Sequence, residues 1–61
     1  MFKAVINAHN LREISTEPIR LWNGEAETIP ELMKHVTANL DSHSPMLSQG
    51  FSMTIDISEV K

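Results

Sequence analysis

With 61 residues and no cysteine, the chain is long enough for one domain and too short for a large core, and it excludes disulfides and thiolate metal sites. Hydrophobic residues make up 41% and charged residues 21%, the balance of an ordinary folded domain and not of a disordered tail. A net charge of −3, from 8 acidic and 5 basic side chains, disfavours the phosphate contacts that drive nucleic-acid binding.

From Phe2 to His9 the side chains alternate, with Phe2, Ala4, Ile6 and Ala8 on one side and Lys3, Val5, Asn7 and His9 on the other. That period of two predicts a half-buried strand. The alternation lapses between His9 and Glu17, which predicts a long loop whose Leu11 and Ile14 cap one end of the core. Pro18 then introduces a short second strand, Ile19 to Trp22, with Ile19 and Leu21 inward and Arg20 and Trp22 outward. A proline there suits a sheet edge, because it has no N–H to offer a neighbour. Asn23-Gly24 predicts a turn that closes this strand, since both residues tolerate positive φ.

Thr28-Ile29-Pro30-Glu31 matches a capping box, in which the threonine oxygen accepts from the N–H three residues on and the glutamate reaches back. Proline in the first helical turn costs no intrahelical bond. Ile29, Leu32, Met33, Val36 and Leu40 then recur on one helical face, with Glu31, Lys34, His35 and Ala38 opposite. The helix is predicted to end near Asp41 to His43, because Ser44 precedes Pro45 and is biased away from helical angles. Met46 and Leu47 are expected under the core, and Gly50 is expected to turn the chain. The segment from Phe51 to Ser58 alternates again, Phe51, Met53, Ile55 and Ile57 against Ser52, Thr54, Asp56 and Ser58, and predicts the last strand.

The order strand, strand, helix, strand predicts a single α+β domain over residues 1–61. Its simplest form is a small three-stranded, mainly antiparallel sheet with one helix packed on one face. A right-handed crossover makes the third strand parallel to the second with the first between them, so the strand order is 2-1-3. Ala4 and Ala8 would let the helix lie close to the central strand.

No motif reaches the specificity of a catalytic or cofactor site, and neither enzyme activity nor a cofactor nor a metal is expected. His9, His35 and His43 fall on a strand end, a helix face and a helix terminus, without the three- or four-residue spacing of a helical metal site. His35 follows Glu31 by four residues, which suits an ordinary helix-surface pair. Asp41-Ser42-His43-Ser44 has the residue types of a nucleophilic triad, but sequence neighbours at a helix end point in different directions. Gly24 and Gly50 are isolated and form no phosphate loop.

The acidic stretch Glu25, Glu27 and Glu31 suits the positive end of a helix dipole. It also surrounds Trp22, so that with Arg20 these residues form a candidate partner-binding surface: an aromatic anchor in an anionic patch facing a basic or mixed protein surface. In general character this small, cysteine-free, acidic domain is similar to the host-takeover and inhibitor proteins of phages and mobile elements, a resemblance that implies an inhibitor or adaptor of a host protein. A non-enzymatic protein-binding module is therefore the leading expectation. The alternatives are a nucleic-acid-binding regulator that uses the open sheet face with Lys3 and Arg20, and a homo-oligomer subunit with a structural role. A homodimer through the edge of the strand at 51–58 is also expected. No apolar run approaches the roughly 18 residues of a membrane span, and the N-terminal residues alternate in place of a signal peptide's apolar block, so no membrane contact and a cytoplasmic location are expected.

Overall fold

The computed structural model describes residues 1–13 and 17–61. In chain order the elements are β1 (Phe2–Asn10), β2 (Ile19–Ala26), α1 (Ile29–His43), a 3₁₀ turn (Ser44–Gln49) and β3 (Phe51–Glu59). The sheet has the order β2-β1-β3, with β1 antiparallel to both neighbours, which is the α+β arrangement and strand order that the alternation and the crossover rule predict.

Small side chains decide where the helix lies. Ala4 and Ala8 of β1 are fully buried, as are Ile6, Leu32 and Val36, and Ala26 nearly so. Phe2, Leu21, Trp22 and Leu40 pack around this cluster. The shallow floor made by the alanines draws α1 over β1 and β2, the two strands it touches, and leaves it clear of β3. The Cα trace measures 36 × 22 × 10 Å, a thin two-layer slab.

The helix begins with the threonine half of its capping box, and the Glu31 carboxylate makes no return bond to the Thr28 N–H. Thr28 is extended at φ −129°, ψ 154°, and its Oγ1 accepts from the Glu31 N–H at 3.4 Å. At the end of the 3₁₀ turn that follows the helix, Gly50 adopts φ 91° and donates its N–H to the Met46 carbonyl. This left-handed residue turns the chain into β3, where the sequence placed a turn.

Four expectations are corrected. Asn23-Gly24 makes no turn, since β2 runs on to Ala26 and its residues from Asn23 to Ala26 pair with Val5 to Phe2. The alternation of β2 is broken instead at Leu21: Ile6 faces Trp22 while Asn7 faces Arg20, so Leu21 is the extra residue of a bulge. That insertion turns Trp22 to the helix side together with Gly24 and Ala26, and not outward. Leu11 and Leu47 are 63% and 55% exposed and cap nothing, although Met46 is half-buried. Ile14, the other expected cap, lies outside the described residues.

Candidate protein-binding surface

The candidate surface read from the sequence is divided by the sheet. Residues directly opposite each other in a ladder share a face, so Trp22, opposite the buried Ile6, lies on the helix side. Its ring stacks on His35, centroids 6.4 Å apart and planes at 27°. The indole also lies along its own strand over Gly24, where an added Cβ would come within 2.4 Å of Trp22 Cζ2. Gly24 is therefore present to make room for the indole, and its φ is not positive. Glu25 and Arg20 point the other way, opposite Lys3 and Asn7 on the open face. Glu31 is in the first helical turn, and Glu27 is exposed between β2 and the helix. These five residues share no common surface with the indole at its centre.

The open face is polar and carries no tryptophan, tyrosine or phenylalanine among the described residues. Lys3, Val5, Asn7 and His9 are flanked by Glu25, Asn23 and Arg20 on β2, and by Ser58, Asp56, Thr54 and Ser52 on β3. His9 Nε2 and Thr54 Oγ1 share a hydrogen bond across it at 3.1 Å. Trp22 is therefore not on this face to serve as a stacking platform for single-stranded nucleic acid.

The polar cluster at the helix end serves the helix backbone. Ser42 Oγ donates to the Ala38 carbonyl at 3.0 Å, His43 Nδ1 to Asn39 at 2.8 Å and Ser44 Oγ to Asp41 at 2.9 Å. Each side chain is thus turned toward a different carbonyl, and no two are aligned as nucleophile and base. No group of three or more histidine and acidic residues positioned to hold a metal ion occurs among the described residues. The depression lined by Pro30, Met33, Lys34, Thr37, Ala38 and Asp41 is walled by one helix alone, and so has no opposing side to enclose a ligand.

Exposed apolar side chains occur singly at Leu11, Ile19 and Leu47, and as a neighbouring pair on one face of β3. Its helix-side residues Phe51 and Met53 are half-buried beside the 3₁₀ turn, but Ile55 and Ile57 are 39% and 44% exposed. The helix carries apolar side chains on the flank nearer to them. At about 100° per residue His35, which meets Trp22 of β2, lies on the flank opposite Ile29, Met33 and Leu40, so those three face the β3 side. Ile29 and Met33 are exposed there. Exposed apolar side chains of α1, Ile29 and Met33, and of β3, Ile55 and Ile57, thus lie on the same side of the sheet.

The outer edge of β3 has its backbone unpaired among the described residues. The Val60 N–H donates to the Met1 carbonyl at 2.8 Å, and the Leu11 N–H to the Gly50 carbonyl at 2.9 Å. Both bonds extend the β1–β3 register, in which hydrogen-bonded pairs recur at every second residue. Ser52, Thr54, Asp56 and Ser58 therefore turn their N–H and C=O groups to β1. Phe51, Met53, Ile55, Ile57 and Glu59 turn theirs to solvent.

The sheet's two edges are protected unequally. The β2 edge has Pro18 just ahead of it, a bulge at Leu21, and the charges of Arg20 and Glu25, devices that deter edge-to-edge pairing. The β3 edge has no bulge, proline or lysine in its nine residues, and its charges are Asp56 and the terminal Glu59. No helix among the described residues is long and apolar enough to cross a membrane. Comparison of the chain with protein-family models, with curated proteins and with solved structures gives no match.

Proposed function

We propose that the chain is a non-enzymatic protein-binding module that takes a β-strand from its partner along the outer edge of β3. The observation that carries this reading is the coincidence, on one nine-residue strand, of outward-facing backbone groups with an uncovered apolar stripe. Added strands gain affinity from main-chain hydrogen bonds and specificity from pockets for alternate side chains. Here the hydrogen bonds would go to Phe51, Met53, Ile55, Ile57 and Glu59, and the alternate side chains of the incoming strand would lie beside Ile55 and Ile57. This reading moves the contact away from Trp22, whose indole is engaged with His35 and Gly24. The acidic residues are left to tune the rate of association with a basic or mixed surface. An inhibitor or adaptor of a host protein, as in phage systems, would fit such a module.

The test compares baits in affinity capture from the source cells: wild type, Ile57→Lys, and the double variant Glu25→Lys, Glu27→Lys, each checked for folding by circular dichroism. A partner retained by wild type and by the double variant but lost with Ile57→Lys is expected. Its binding should also protect the Met53, Ile55 and Ile57 amides from hydrogen exchange. Retention by Ile57→Lys together with loss by the double variant would move the contact to the acidic stretch and overturn the reading.

A further inference from the structure

The edge of β3 is complementary to itself, and we infer that the strand it takes is β3 of a second copy, antiparallel about a two-fold axis through Ile55. The inference rests on the reading above, since it names the partner of that same edge. The outward backbone groups belong to the odd-numbered residues, so a symmetric antiparallel ladder must set odd residues opposite odd ones. With Ile55 opposite Ile55 of the second copy, Met53 meets Ile57, Phe51 meets Glu59, Thr54 meets Asp56 and Ser52 meets Ser58. The whole of Phe51–Glu59 is paired, and every outward N–H and C=O on it finds a partner.

Neighbouring registers do worse. Centring on Asp56 sets two aspartates directly opposite each other, which is unfavourable. Centring on Met53 or Ile57 runs one end of the strand past its mate, and centring on Thr54 leaves Glu59 outside the strand. About Ile55 alone the strand is used to both ends with no like charges directly opposite, because Asp56 meets a threonine and Glu59 a phenylalanine, and the two aspartates are only diagonal neighbours. On the helix side Met53, Ile55 and Ile57 of the two copies then form one continuous apolar row. The axis stands perpendicular to the sheet, since side chains paired across it share a face. The product is a six-stranded sheet, β2-β1-β3 continued by β3-β1-β2, with both helices on one face. It leaves as its outer edges only the two β2 strands, which are the edges that carry the bulge.

The experiment is a charge swap at the dyad. Sedimentation equilibrium should show wild type as a dimer. Ile55→Lys and Ile55→Glu should each weaken self-association by about tenfold or more, because like charges then meet across the axis. Mixing the two variants should restore a heterodimer, since only a register that sets residue 55 against residue 55 pairs lysine with glutamate. In the dimer the Met53, Ile55 and Ile57 amides should exchange slowly. The Thr54 and Asp56 amides, bonded to β1, should stay protected in the separate variants and so report that the fold is intact. Three results would overturn the inference: a wild-type monomer at millimolar concentration, a dimer that both single variants retain, or variants whose mixture fails to associate. If wild type is monomeric but a captured protein protects Met53, Ile55 and Ile57, the second copy is refuted while strand addition at this edge stands. If it is monomeric and no capture protects them, both fall.

Discussion

Gly24→Ala is a single added methyl with a large expected effect. An ideal Cβ at residue 24 falls 2.4 Å from Trp22 Cζ2, 2.8 Å from Cη2 and 3.2 Å from Cε2, whereas carbon atoms settle at about 3.5–4.0 Å. The indole must therefore retreat by about 1 Å. It is packed against the cluster of Ala4, Ile6, Ala26, Leu32 and Val36, and it stacks on His35. Overfilling of this kind costs roughly 1–3 kcal/mol. Against it stands the loss of glycine's freedom in the unfolded chain, which stabilises by about 0.4–1 kcal/mol. The steric term wins, and the net expectation is a loss of about 1–2 kcal/mol, a substantial share of the roughly 3–5 kcal/mol that a core of this size supplies.

Urea unfolding followed by circular dichroism measures the loss, and the tryptophan emission of the folded protein should shift as the indole moves. The decisive control is a double-mutant cycle. With Trp22→Ala already in place the clash is gone, so adding Gly24→Ala should be neutral or stabilising. Equal destabilisation in both backgrounds would mean that glycine is needed for its backbone and not for the space it leaves, and would refute the packing argument. A stabilising effect in the wild-type background would refute the placement of the indole.

Thr28→Ala should destabilise by about 0.5–1 kcal/mol, in the lower part of the usual range for a lost cap because the bond to the Glu31 N–H is long at 3.4 Å. Thermal unfolding against Ser58→Ala, an exposed control on the open face, reads the difference, and equal neutrality of the two would remove the cap. Gly50→Ala should cost about 1–2 kcal/mol, the penalty of a side chain in left-handed geometry, since φ is 91° and the new Cβ would stand 3.0 Å from Arg12 Nε. Chemical denaturation should place Gly50→Asn between it and wild type, and a neutral Gly50→Ala would show that the turn is made differently.

The parts of the fold that were legible in the sequence are those whose pattern runs unbroken. β1 and β3 keep a period of two along their length, and the helix announces its start through Thr28 and Glu31. Trp22 was misplaced because one inserted residue reverses every orientation beyond it. Counting forward from Ile19 puts Trp22 outward, and only pairing with β1 reveals that Leu21 is supernumerary. A signal was nonetheless present. Trp22, Gly24 and Ala26 alternate with Asn23, Glu25 and Glu27, a second strand pattern hidden by the turn preference of Asn23-Gly24. That preference is local, and it yields here to the backbone of Phe2 to Val5, which needs partners along its length. The exposure of Ile55 and Ile57 was not legible at all, because alternation says which residues share a face but not whether anything covers it.

Why the stripe stays uncovered follows from dimensions. Strands lie about 4.8 Å apart and a helix with its side chains is about 10–12 Å across, so one helix covers about two strands. The choice of which two is made by side-chain size. The alanines at 4 and 26 and Gly24 lower the floor under α1, whereas the methionine and isoleucines of β3 raise a ridge at its side. The 3₁₀ turn shelters the start of β3, and burial falls away beyond Met53. Polar residues at 55 and 57, like those at 54, 56 and 58 on the other face, would have suited a solvated strand. The chain has isoleucine at both, beside a backbone edge that lacks the bulge present on β2. Leaving such an edge bare invites uncontrolled pairing, so the combination is best accounted for if the edge is closed by a strand of defined register.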